Sequence, residues 1–403
     1  MNNNMKKNTI LLALSALMSL SAVAENQPFL TKVYDFMSAP GQFVNTMPDA
    51  EAGDAKESIL KRVEEAICGR YEENDWGQME MIYKPGMISL GACGGYVVVG
   101  FDHPVVNVKG DYDFQIFGNA FLSNQYSSGG SSEPGIVMVS YDANGNGLPD
   151  DPWYELAGSE YNSPKTQHNY TITYYKPDEN KVKTPDPNNK SIIDNTYIRW
   201  TSNDVNPDSI SGYVYKNSFH AQSYWPQWAE GETITFTGSK LCNNATDESG
   251  KGTYWVQWNK GWGYVDNRPD YDPYSHQEGT DTSAMNRGFK IDWAVDADGV
   301  PVHLPMVHFI KVHNAVNQYC GWLGETSTEV AGGIDFHPNQ ALPEVTAGDT
   351  NGDGVVDVSD VTAVVNFILG QKQGGYNPVA VDVNGDTVVD VTDVTALINL
   401  ILK

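Results

Sequence analysis

Short runs of β-branched and aromatic residues, broken by turn formers, dominate the middle of the chain. They fall at 96–101, 114–117, 135–141, 170–175, 197–200, 212–215, 233–237, 254–258 and 307–312, each bounded by Gly, Pro, Asn or Asp. That pattern predicts strands. No helical stretches alternate with these runs, so a parallel doubly wound sheet is disfavoured and a mainly β, jelly-roll-like β-sandwich is expected. One helix is predicted before them. Asp54 with Glu57 reads as a capping box, Ile59, Leu60, Val63 and Ile67 make one face, and Gly69 follows. Residues 25–53, carrying Pro28, Pro40 and Pro48, read as irregular. The polar stretches 176–195 and 266–287 read as surface loops.

The first 24 residues have a different pattern. Lys6 and Lys7 precede an apolar run from Ile10 to Val23, and Ala22-Val23-Ala24 precedes Glu25. This is the layout of an export signal, too short for a comfortable membrane span, and no cysteine stands at the cleavage point for a lipid. The expected location is exported: periplasm, cell surface or extracellular space. No other run approaches about 20 apolar residues, so no transmembrane segment is expected in the mature chain.

Charge narrows the partners. Among 403 residues, 25 Lys and Arg face 51 Asp and Glu, a net charge of −26. Such a surface repels phosphate, which excludes a nucleic-acid partner, and it favours carboxylates gathered around cations. Cys68, Cys93, Cys242 and Cys320 allow three disulfide pairings, or free buried thiols, and their spacing fits no zinc motif.

Near 338–346 the aromatic character stops, since all 10 Trp lie before this point. The expected divisions are a leader at 1–24, a helix-bearing segment at 25–70, a β-sandwich at 71–340, a linker at 341–347 and a terminal unit at 348–403. The terminal unit is one pattern written twice. Asp349, Asn351, Asp353, Asp357 and Asp360 recur as Asp382, Asn384, Asp386, Asp390 and Asp393. Oxygen side chains at loop positions 1, 3, 5, 9 and 12, with the main-chain carbonyl of Val355 or Val388 at position 7, suit the oxygen shell of Ca²⁺. Gly354 supplies the turn at position 6 of the first loop, where the second has Thr387. Val361, Val364, Val365, Ile368 and Leu369 recur as Val394, Leu397, Ile398, Ile401 and Leu402, one apolar stripe on each following helix. A merely solvated acidic tail would not keep ligand spacing and helix spacing together.

These paired loops and helices resemble a type I dockerin. The resemblance implies Ca²⁺ as cofactor and a cohesin-like protein as partner. It places partner recognition at positions 10 and 11, here Val358-Ser359 and Val391-Thr392. The hydroxyl at position 11 is kept, whereas the valine at position 10 departs from the commonest pattern.

Three signals belong to the large region. The segment Asp142, Asn144, Asn146, Leu148 and Asp150 again spaces oxygen donors alternately, with Asp151 and Glu155 nearby, but no helix follows. It reads as a calcium loop without the following helix, or as an Asn/Gly-rich turn. Trp225, Trp228, Trp255, Trp258, Trp262 and Tyr264 cluster with His220, Gln227 and Gln257. Such rings either stack on a sugar face or macrocycle, or fill the core, and strand alternation sets Trp255 and Gln257 opposite Tyr254, Val256 and Trp258. Asp111, Asp113, Glu133, Asp150 and Glu155 are carboxylates available for glycosidic hydrolysis, with no pair selected. The stretches 94–102, 111–119, 288–293 and 307–312 resemble secreted bacterial cell-surface β-sandwich proteins, some of which are associated with corrinoid uptake.

The expected function is an exported, calcium-binding cell-surface protein whose tail attaches it to a partner and whose β-sandwich binds glycan in polysaccharide catabolism. A glycoside hydrolase and a surface protein that captures cobalamin are the alternatives.

Overall fold

Alternation decides which way each strand faces. In Tyr96–Gly100 and Phe309–Asn314, Val97, Val99, Ile310 and Val312 join the main core, while Tyr96, Val98, Lys311 and His313 belong to the opposite face. The register sets Val97 opposite Val312 and Val99 opposite Ile310. The structure, a computed structural model, describes residues 25–124, 128–275, 283–371, 375–386 and 388–403. The apolar leader at 1–24 and Thr387 lie outside them.

The largest sheet has six strands, in the order Lys32–Met37, Tyr96–Gly100, Phe309–Asn314, Gly135–Ser140, Trp153–Leu156 and Ala294–Val295. A second sheet orders Ser211–Asn217, Ile192–Ser202, Gln167–Tyr175 and Thr233–Lys240. A third orders Ala245–Asp247, Trp255–Trp258, Gly129–Ser131 and Phe121–Leu122. The pairings within all three are antiparallel. The molecule is mainly β, as the sequence predicts.

Two cores lie on the two faces of the six-stranded sheet. One holds Val97, Val99, Val137, Val139, Ile310 and Val312, closed by helix α1 (Lys56–Ile67), whose Ile59, Val63 and Ile67 are fully buried. The other holds Tyr170, Ile172, Tyr174, Ile198 and Phe236 of the second sheet, packed against Met37 and Tyr96 of the first. Gly94 lets that second layer close, because a Cβ there would lie 2.5 Å from the Cβ of Phe236.

Four local expectations are corrected. The segment 25–53 contributes the edge strand Lys32–Met37, whose alternation is hidden by a register shift between Val33 and Asp35. Helix α1 begins without a side-chain cap; Asp54 instead accepts from the Glu51 amide at 2.8 Å and pairs with Arg62 at 2.6 Å. A hairpin, Arg70–Glu73 with Met79–Ile82, follows α1. The stretch 266–287 does not start on the surface, since Asp266, Asn267 and Asp272 are buried. All four cysteines are free, and burial pushes the thiols of Cys68, Cys93 and Cys320 up to about 12.

The tail carries helices α2 (Val358–Ile368) and α3 (Val391–Ile401). Their buried Val364 and Leu397 join the main core cluster through Val381 and Tyr376. Tyr376 is the strap. Its carbonyl accepts from the His303 amide at 2.8 Å, its amide donates to Pro301 at 3.2 Å, and its hydroxyl donates to Asp296 at 3.1 Å.

Candidate functional site

Each tail loop is built by the same device. Asp357 at position 9 is the N-cap of α2, accepting from the Ser359 amide at 2.7 Å, while Asp360 at position 12 accepts from Asp357 at 2.8 Å and from Asn351 at 3.0 Å. Asp390 and Asp393 repeat this at α3: Thr392 donates to Asp390 at 2.7 Å, and Asp393 accepts from Asp390 at 2.9 Å and from Asn384 at 3.1 Å. The residues that begin each helix are therefore also those that close each loop. Hydrogen bonds hold both carboxyls below the usual carboxylate range, for Asp357 from the Ser359 amide and then its hydroxyl, and for Asp390 from the Thr392 hydroxyl and then its amide.

Within the first loop, Gly354 donates to Asp349 at 3.0 Å, Asp353 to Asn351 at 2.8 Å and Val355 to Asp353 at 2.9 Å. Gly354 has φ of +87°, a left-handed turn that favours glycine. In the second loop Asp386 donates to Asn384 at 2.8 Å and Val388 to Asp386 at 2.9 Å, while Asp382 accepts from Gly385 at 2.8 Å. The side chains of Val355 and Val388 point into solvent, leaving position 7 its main-chain carbonyl.

The donor set fits calcium. It is all oxygen, and the Oδ1 atom of Asp349 is buried without a hydrogen-bond partner. Burial, together with the charges of Asp360 and Asp353, raises the Asp349 carboxyl. Val358 and Val391 stand exposed beside Ser359 and Thr392 at the head of each helix, which leaves both position 10–11 pairs free of the large region.

The loop at 142–150 repeats the hydrogen-bond lattice of the first tail loop. Gly147 donates to Asp142 at 2.9 Å, Asn146 to Asn144 at 2.9 Å and Leu148 to Asn146 at 2.7 Å. Position for position these are the bonds of Gly354, Asp353 and Val355. Asp150 accepts instead from the amide groups of Asn144 at 3.2 Å and Asn146 at 3.0 Å, and Asp151 from the Ala143 backbone at 3.1 Å. Glu155 turns away to accept from Ser239 at 2.6 Å, so it is not part of this loop.

The aromatic cluster is dispersed. Trp225, Trp228 and Tyr264 are buried in three different core clusters, so they support sheets and present no ring to solvent. Trp258 donates to Thr246 at 2.7 Å, and Trp262 lies half-exposed against Trp293, ring centroids 4.5 Å apart, in a separate pocket. Trp255 alone among them, with Gln257, lines a pocket of about 380 Å³. Its other rings are Phe43, Phe121, Tyr254 and Trp322, and its polar groups include Gln42, Glu133 and Glu325. His220 reaches the rim by an edge contact with Phe43, centroids 4.9 Å apart.

Two polar atoms in this pocket lack partners, the indole nitrogen of Trp255 and Oε2 of Glu325. Gly321 makes room for that indole; a Cβ there would lie 2.2 Å from the nitrogen. Burial pushes the Glu325 carboxyl up to about 8 and also raises Glu133. Of the carboxylates available for hydrolysis, Glu133 alone lines the pocket. Asp113 is buried and locks Val108 and Ile291 amides at 2.8 and 2.7 Å, with its carboxyl pushed up by burial to about 7, and Asp111 and Asp150 are exposed elsewhere. Sequence reasoning missed Glu325 and Trp322; the visible signal was a tryptophan enclosed by Gly321 and Gly324 in a loop.

A larger groove of about 590 Å³ also touches Glu325, and several of its polar side chains are already engaged. Lys240 pairs with Asp204 at 2.8 Å, Gln318 donates to Asn244 at 2.6 Å and Asn317 to Tyr170 at 2.9 Å.

Residues 347–402 match the family model described as the Dockerin type I domain. No curated protein matches the chain. The tail thus matches the type I dockerin domain, a family of calcium-binding modules that support attachment to cohesin, and the match does not extend into the β-rich region. Among the described residues, no helix is long and apolar enough to cross a membrane.

Proposed function

We propose that this chain is an exported surface protein that holds glycan in the pocket of Trp255 and Trp322 while its dockerin fastens it to a cohesin-bearing partner. The observation that carries the reading is the pocket itself. Five aromatic side chains line it together with Gln42, Gln257, Glu133 and Glu325. Flat apolar walls with a few convergent polar groups suit the face and hydroxyl rim of a sugar ring. Calcium at the two dockerin loops, and at the third loop beginning at Asp142, completes the assignment.

Binding is favoured over hydrolysis. Either glycosidase geometry needs an ionised carboxylate opposite a protonated one, and here burial raises both Glu133 and Glu325. The test is retention of the mature, calcium-loaded protein on a glycan panel, with cobalamin as a second ligand and reducing ends assayed throughout. Retention on a glycan that Trp322→Ala weakens at least tenfold, without released sugar, is the expected result. Product formation would make the pocket hydrolytic, and capture of cobalamin without glycan would replace the ligand class.

A further inference from the structure

Beside that pocket lies a group of acids of which only Glu133 lines it. Glu133, Asp266 and Glu329 come from three separate segments, yet each offers an oxygen within 4.8 Å of the others. Asp266 and Glu329 are 0 % and 3 % exposed. The backbone locks them together. Glu133 donates its amide to the Asp266 carbonyl at 2.8 Å, and Asp266 accepts from Glu329 at 3.0 Å and from Asn119 at 2.8 Å. Glu133 accepts from Gln257 at 3.1 Å and Ser327 at 3.2 Å.

Among the described residues, no lysine or arginine forms an ion pair with them, and the nearby Lys84 is spent on Asp272 at 2.6 Å. Three clustered carboxyls, two of them buried, are costly without a cation, and such groups either share protons or hold a metal ion. A separate observation favours the ion: Oε1 of Glu329 has no hydrogen-bond partner, although the residue is almost wholly buried.

We propose that Glu133, Asp266 and Glu329 form a buried divalent-cation site of the calcium class, cross-linking three segments of the β-rich region. The spacing suits one ion, because two oxygens bound to the same Ca²⁺ at 2.3–2.6 Å are at most about 5 Å apart. The donors are all hard oxygens, and Ca²⁺ sheds water for an all-protein shell more readily than Mg²⁺.

The experiment counts calcium by native mass spectrometry on the full chain, stripped with chelator and reloaded. Glu329→Gln is expected to bind one ion fewer than wild type and to lose calcium-dependent stabilisation of the tryptophan near-ultraviolet signal, which arises outside the dockerin. A glutamine mimics a protonated glutamate, so a folded Glu329→Gln with an unchanged ion count and unchanged calcium response would overturn the site in favour of shared protons. Should Glu329→Gln fail to fold, Glu133→Gln, at the accessible edge, is expected to show the same loss of one ion; an unchanged count there overturns the proposal equally. Glycan retention is measured alongside, so that loss of the ion and loss of the pocket's ligand are read separately.

Discussion

The β-rich region and the dockerin solve the folding problem by different means. The large region buries whole layers of Val, Ile, Phe and Tyr, with Phe114, Phe117, Phe289 and Phe309 all but inaccessible. The dockerin buries little beyond Val364 and Leu397 on its two helices, and it crowds eight aspartates into 56 residues. Apolar burial supplies most of what holds the first, whereas the second needs a cation to offset its own repulsion. The proposed attachment therefore depends on calcium, and the proposed ligand pocket mainly on packing.

The largest effect that would break this comparison is chelation. Removing calcium from the full chain is expected to abolish the helical far-ultraviolet signal of α2 and α3 while the near-ultraviolet tryptophan signal keeps its folded form, with at most a lowered melting temperature. Next comes Phe114→Ala, which should cost the large region about 3–5 kcal/mol in denaturant unfolding and leave calcium uptake by the dockerin unchanged.

A pH series sharpens the contrast further. Burial pushes the Glu155 carboxyl up to about 7, so the folded state holds a proton that the unfolded chain releases near its ordinary value. The stabilisation is complete below that ordinary value and is lost as pH rises through about 7, at no more than about 1.4 kcal/mol per pH unit. Glu155→Gln should flatten this slope in the large region's unfolding curve. The dockerin should respond oppositely, since Asp357 and Asp390 are held low and their contribution fades as pH falls. The smallest effect is Tyr376→Phe, which removes the bond to Asp296 and should loosen the strap by about 0.5–1.5 kcal/mol without changing the ion count.

What was legible in the sequence was local. The strands announced themselves because β-branched runs and turn residues are neighbours in the chain, and the dockerin because its ligand spacing and helix spacing lie within one repeat. The strand Lys32–Met37 was hidden by a bulge, and the cap of α1 was misread because Asp54 is engaged by Arg62. The pocket could not be seen at all. Phe43, Phe121, Trp255 and Trp322 meet only after the sheets pair, and composition alone could not separate Trp255 from the core residues Trp225 and Trp228. The buried acids were illegible for the same reason: Asp266 sits in a stretch whose polarity imitates a surface loop.

The account rests on the twin dockerin loops acting as calcium cages, and one measurement tests this most directly. Equilibrium dialysis of the full chain against calcium should give two more tightly bound ions for wild type than for the variant carrying both Asp349→Ala and Asp382→Ala. Equal counts in the two proteins would contradict it.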